Sequence, residues 1–200
     1  MYYVLCAAAG YLLGCINTAF IIGKLRGFDI RKAGTGNAGA SNAAVTMGFK
    51  TAVFVAVCDI LKAALAYIIC KKLFPDTECA GVIGAVGAIL GHMYPVWMGF
   101  KGGKGLACFM GMILAMSWKM FLVFGAAVVI ITLVTDYIAI GTIVASVVYP
   151  AYIYIISSAW IQPAIIGAAT VLILIKHREN IKRIISGKEI GLRKTMGVKQ

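Results

Sequence analysis

The sequence predicts an all-α, polytopic membrane protein with seven transmembrane helices in one bundle. Three observations carry that reading. The chain is 62% hydrophobic, against about 45–50% in ordinary soluble domains, and its mean hydropathy is +0.93. Charged residues make up only 13%, about half the usual share. The cations cluster in loops between apolar runs rather than spreading along the chain. A length of 200 residues suits one compact bundle, so residues 1–200 are read as a single membrane-integral domain.

A membrane helix needs about 20 predominantly apolar residues. Segments near that length run over residues 2–23, 50–70, 80–98, 105–117, 119–134, 137–156 and 160–175. The first has no basic flank before it, so it reads as a retained span rather than a signal peptide, despite a faint lipoprotein-like LLGC. The fourth and fifth are short and separated only by SWK. They are one broken hairpin or two helices in a thin membrane.

Orientation follows from the basic residues, which favour cytoplasmic loops. Seven spans place 15 of the 19 cations on one side, including Lys24, Arg31, Lys50, Lys101, Lys104 and the tail from Lys176 to Lys199. Lys71, Lys72 and Lys119 lie opposite, and Lys62 falls inside a span. The N-terminus is therefore expected outside and the C-terminus in the cytoplasm. A net charge of +12 so distributed marks membrane topology rather than nucleic-acid binding. The six cysteines show no CxxC spacing and sit mostly in apolar runs, as small hydrophobes do. Free thiols are expected, with a Cys70–Cys79 pair as the alternative. Two histidines and no clustered ligands predict no metal site.

Three polar clusters fall on the expected cytoplasmic face. AGTGNAGASN (33–42) carries Thr35, Asn37, Ser41 and Asn42. Such residues beside glycine cap helices and make turns, and at a membrane boundary they also line headgroup pockets. GFKGGKG (99–105) follows an apolar run. Glycines there permit turns that aim N–H groups at an anion, and Lys104 adds charge. The nucleotide P-loop is excluded, because it needs a glycine six residues before the lysine and Ser or Thr after it. Met98 and Gly105 stand there. KHRENIKR (176–183) places His177 and Asn180 on one helix face, able to orient a hydroxyl or phosphate. Within the spans, Asp59 and Lys62 are spaced to pair on one helix face, His92 precedes a kink at Pro95, and Asp136 reads as solvated in a turn.

GTGNAGASN, GHMYPVWMGFKGGKG and KHRENIKRIISGKE resemble the three signature regions of the bacterial acyl-phosphate:glycerol-3-phosphate acyltransferases. The resemblance runs from the first loop to the tail. It implies transfer of an acyl group from acyl phosphate to the 1-hydroxyl of glycerol 3-phosphate, giving lysophosphatidate for phospholipid synthesis. It implies a multi-pass protein of the bacterial cell membrane with its active site on the cytoplasmic face, no cofactor, no metal and no acyl-enzyme. Its partners are the two substrates and the bilayer, without nucleic acid; oligomeric state is not addressed. By position it implies catalytic roles for Thr35, His177 and Asn180, with Glu179 in the same region. It implies substrate binding by Asn37, Asn42, Gly102, Gly103, Lys104, Gly105 and Thr142. Two departures remove cations: Val45 and Asp136 stand where the family tends to show arginine. Lys50, Arg31 and Lys32 are the candidates to replace them. The proton acceptor is His177 or a substrate phosphate oxygen. A competing reading is a transporter of an organic phosphate, which needs polar residues through the bilayer; another is a non-catalytic lipid-binding paralogue.

The orientation has a direct test. A cysteine introduced near Asp76 is expected to react with an impermeant label applied from outside, and one near Lys188 is not. The reverse pattern overturns the orientation.

Overall fold

The computed structural model describes residues 1–157 and 159–195, and every regular element among them is helical. Lys199, counted above among the tail cations, lies outside the described residues. The chain divides into two compact units, Met1–Phe121 and Leu122–Gln200.

The first unit begins with α1 (Tyr2–Gly14) and α2 (Thr18–Leu25). The predicted first span is thus a helix broken at residues 15–17. Asn17 caps α2, its Oδ1 accepting the Phe20 amide at 2.9 Å. A 3-10 turn, Ile30–Lys32, leads to α3 (Ala40–Met47), and α4 (Phe49–Leu73) follows. α5 (Ala80–Met93) stops before Pro95, and a second 3-10 turn, Val96–Met98, leads into the glycine loop. α6 (Leu106–Met116) has 11 residues, about 16 Å at ~1.5 Å per residue. That is short of a bilayer core of about 30 Å. The unit closes on the first residues of α7 (Trp118–Thr135), where Ser117 Oγ accepts the Met120 amide.

Small residues let these helices approach closely, as membrane bundles require. A Cβ on Gly10 would meet the Gly84 carbonyl, and one on Gly91 would meet the Tyr11 carbonyl. Gly111 of α6 lies equally close to the Ile60 carbonyl of α4. Around the first loop, Ala19, Ile30, Ala38, Ala43, Ala52, Val55 and Met98 form a buried cluster.

The second unit holds the rest of α7, α8 (Ile138–Ser157), α9 (Ile161–Ile185) and the short α10 (Leu192–Thr195). Phe124 meets the fully buried Tyr149 edge-on, with ring centroids 5.1 Å apart. The Thr170 hydroxyl donates across to the Ser146 carbonyl at 2.7 Å, joining α9 to α8. α9 continues to Ile185 rather than ending near residue 175, so KHREN lies within the helix.

All seven predicted apolar segments are helical. Six reach the length and hydropathy of a membrane span, with α1 and α2 together counting as one, and α6 is the shorter seventh. All six cysteines are free thiols.

The close approach predicts a contrast. Gly91→Ala forces apart α1 and α5 and is expected to cost about 1–3 kcal/mol, as overpacking typically does. Gly167→Ala meets nothing within 4 Å and is expected to cost nothing, since alanine is the better helix former. Thermal unfolding in detergent reads both.

Candidate active site

The first loop is folded around one side chain. Asn42 is fully buried. Its Nδ2 donates to the carbonyls of Ile30 (2.9 Å) and Ala33 (3.0 Å), and its Oδ1 accepts the Thr35 amide at 2.7 Å. A segment without regular structure thereby has three backbone groups satisfied at once. These three bonds tie the Asn42 side chain to the backbone of residues 30–35. Thr35 and Asn37 are half-buried on the same loop. Ala38 is held from the other side, where Asn17 Nδ2 donates to its carbonyl at 2.9 Å.

Arg31 ties this loop to the second one. Its Nη1 donates to the Met98 carbonyl at 2.6 Å, its Nε and Nη2 hold Asp29 at 3.0 and 2.8 Å, and its guanidinium lies over the Phe20 ring. The hydrogen bond from Arg31 pulls the Asp29 carboxyl from 3.8 down to about 2. A depressed carboxyl stabilises the fold fully above its unfolded value and loses that contribution as pH falls toward the folded one. The clamp is therefore constant through the neutral range. Of the cations suggested to replace the missing arginines, Arg31 is committed to structure, while Lys32 and Lys50 are exposed.

The glycine loop is ordered by hydrogen bonds to the end of α5. The Gly102 amide donates to Met93 (3.2 Å) and the Gly103 amide to His92 (3.0 Å). These two N–H groups point into the protein, so the expected anion nest does not include them. The left-handed backbone falls instead at Gly99 (φ 61°), Phe100 (φ 60°) and Gly105 (φ 98°). Gly102 and Gly103 are required for close approach. A Cβ on Gly103 would meet the His92 imidazole and the Ala38 carbonyl. Gly105 caps α6, whose first-turn amides have no partner within the helix and bear its positive dipole end. Half-buried Lys104 stands beside them, and Lys101 is exposed. Ammonium, helix amides and dipole together suit a phosphate.

Beneath this loop lies a buried polar group. Lys62 Nζ donates to the Ile16 carbonyl at 2.8 Å and to His92 Nδ1 at 3.1 Å, and it lies 2.7 Å from Asp59 Oδ1. Asp59 Oδ1 is outside hydrogen-bond geometry, so its attraction to Lys62 is one of charge. An ammonium only donates, so in its contact with Lys62 the imidazole nitrogen is the acceptor, with the Asp59 carboxylate 3.5 Å from the same Nδ1. Among the described residues, Asp59, His92 and Cys108 form one trio able to hold a metal, with ligand atoms within 4.8 Å. Lys62 already lies against two of the three, and its charge opposes a divalent ion there.

In the second unit, His177 and Asn180 are buried on one face of α9. His177 Nδ1 meets the Ile173 carbonyl at 2.8 Å. That carbonyl only accepts, so the imidazole donates from Nδ1. Asn180 Nδ2 donates to Glu189, which Arg183 also holds, at 2.6 Å. Glu179 is exposed and pairs with Lys182 at 3.2 Å. Thr142 is buried in α8, its hydroxyl donating to the Ile138 carbonyl at 2.9 Å.

The glycerol-3-phosphate acyltransferase family model matches residues 4–187. The chain belongs to the glycerol-3-phosphate acyltransferase family. It is 37% identical to glycerol-3-phosphate acyltransferase of Brucella anthropi, over 90% of this chain and 88% of that one. It is 35% identical to glycerol-3-phosphate acyltransferase 1 of Oceanobacillus iheyensis, over 100% and 99%. The crystal structure of PlsY (YgiH), an integral membrane glycerol 3-phosphate acyltransferase, in its glycerol 3-phosphate form superposes with a TM-score of 0.90 at 31% identity over 99% of each chain. The lysophosphatidic acid form gives 0.82 at 33% over 94% of each. The protein is thus an acyltransferase integral to the membrane.

Two departures of this acyltransferase from its family's pattern have structural settings. Val45 is exposed on α3. Asp136, expected to be solvated, is instead half-buried and partnered. Its Oδ1 accepts the Arg193 amide at 2.8 Å, its carbonyl accepts the Leu192 amide at 2.8 Å, and Arg193 reaches the Leu133 carbonyl. It pins the start of α10. Sequence reasoning passed over Asn17 and Glu189. Asn17 follows an apolar helix directly and precedes Thr18, a recognisable cap position; Glu189 closes the quoted KHRENIKRIISGKE stretch but was not singled out.

Asn42→Asp is expected to disorder the first loop. It removes the two donors and faces the Ile30 and Ala33 carbonyls with a carboxylate. Stranding buried acceptors costs about 1–3 kcal/mol. Faster proteolysis within residues 30–40 checks it.

Proposed function

We infer that the chain transfers an acyl group from acyl phosphate to the 1-hydroxyl of glycerol 3-phosphate, giving lysophosphatidate and inorganic phosphate. The observation that carries this reading is the end-to-end likeness to the glycerol 3-phosphate form of PlsY, joined to the position of Lys104 at the amino end of α6. The family match crosses both units, which supports reading residues 1–200 as one catalytic domain.

The chemistry needs little covalent help. The substrate hydroxyl oxygen attacks the acyl carbon, the bond from that carbon to the phosphate oxygen breaks, and phosphate leaves with the electron pair. The hydroxyl proton goes to His177 or to a phosphate oxygen. Cations and amide donors stabilise the charge that develops on the leaving group, and orientation of two bound substrates supplies much of the acceleration. Lys104 and the first-turn amides of α6 take the glycerol 3-phosphate phosphate. Thr35, His177 and Asn180 serve catalysis, Asn37 and Thr142 bind substrate, and Asn42, Gly102, Gly103 and Gly105 shape the loops that do so. The basic residues support a cytoplasmic active site in a bacterial inner membrane.

The deciding assay mixes purified protein with glycerol 3-phosphate and either acyl phosphate or acyl-CoA. Lysophosphatidate is expected from acyl phosphate; none from either donor overturns the reading, and uptake without product favours a transporter. Lys104→Ala is expected to raise KM for glycerol 3-phosphate about tenfold or more, since a charge-assisted hydrogen bond contributes about 1.5–3 kcal/mol. The exposed Lys101→Ala is expected to change it less. Val45→Arg is expected to lower KM if the missing arginine leaves the site short of charge; no change means that Lys32, Lys50 or another cation serves there.

A further inference from the structure

We propose that His92 is a positioning residue for glycerol 3-phosphate, holding the glycine loop in its binding geometry through its imidazole. This rests on the acyltransferase reading above and extends it to a side chain that the reaction does not use. His92 is 3% exposed and faces two ways. At Nδ1 it accepts from Lys62, which Asp59 and the Ile16 carbonyl hold in turn. At Nε2 it fills the space that a Gly103 side chain would occupy, opposite the Ala38 carbonyl. Its own carbonyl accepts the Gly103 amide at 3.0 Å. The ring is thus fixed from behind by a charge pair on α4, and it presses on the residue before Lys104. The first loop reaches the same point through Ala38. A ring held at Nδ1 by Lys62 and set against Gly103 at Nε2 couples the α4–α5 packing to the backbone that presents Lys104.

A buried histidine could instead serve only to satisfy Lys62 and Asp59. The two roles use different ring atoms, so substitutions separate them. Asparagine places a polar atom where Nδ1 was, keeping the partner of Lys62 but emptying the space against Gly103. Glutamine places one where Nε2 was.

The test measures initial rates against each substrate for His92→Asn, His92→Gln and Gly103→Ala, with thermal unfolding alongside. For His92→Asn we expect KM for glycerol 3-phosphate to rise about tenfold, with kcat and the acyl phosphate KM nearly unchanged. His92→Gln should recover part of that loss. Gly103→Ala should harm less in the His92→Asn background than alone, because the methyl group then has room, a coupling that a double-mutant cycle reads. Folded His92→Asn with wild-type KM, or strict additivity with Gly103→Ala, overturns the proposal. If His92→Asn does not fold, Asp59→Asn/Lys62→Gln releases the ring without altering it, and the same KM criterion applies. Failure of both to fold also overturns it, since the trio would then serve the bundle rather than the loop. Wild-type protein without any product is a failure of the acyltransferase reading, and is distinguishable because it precedes every comparison of variants.

Discussion

A lysine ammonium inside an apolar bundle is the constraint around which the first unit is organised. Removing such a charge from water costs several kcal/mol even after relaxation, so Lys62 needs partners on every side. It has a carboxylate at 2.7 Å, a carbonyl at 2.8 Å and an imidazole at 3.1 Å. The carbonyl, Ile16, is available because α1 and α2 are separate helices. An unbroken helix would have spent it on its own ladder. The break in turn places Asn17, which caps α2 and holds Ala38 in the first loop. The imidazole, His92, ends α5 and supports the second loop. One buried cation thus bears on both loops of this unit.

Much of the polar capacity of these loops is spent on scaffolding, contrary to what residue type suggests. Asn42 is polar and sits in a signature region, yet its side chain serves the loop's own backbone. The amides of Gly102 and Gly103 are spent on Met93 and His92. Arg31 is spent on Asp29 and Met98. Donor capacity for a phosphate then concentrates at the head of α6, where helix geometry leaves amides over. Phe100 holds a left-handed conformation in the same loop, which costs a non-glycine residue about 1–3 kcal/mol.

The second unit shows the same economy. Asn180 is oriented by Glu189 from the turn beyond α9, and Arg183 completes that group. Asp136 uses its carboxylate and carbonyl to pin residues 192 and 193. At Asp136 this chain puts a carboxylate to structural use, with Arg193 of the tail beside it.

Helical class, the positions of the apolar segments and the three polar regions were legible in the sequence. Burial in a bilayer demands long apolar runs, and glycine-lysine loops stand out against them. The Asp59–Lys62 pair was legible too, because i, i+3 spacing is local. The third partner His92 and the inward turn of the Gly102 and Gly103 amides were not legible, whereas the break at residues 15–17 left a cap signal at Asn17 that was passed over. Lys62 reaches 46 positions to Ile16 and 30 to His92, and no local spacing encodes such contacts. The sequence by itself determined which residue types would meet a phosphate at a membrane surface. Only the tertiary structure decided which of them hold the loops, because a hydrogen bond spent on the fold is not available to a ligand.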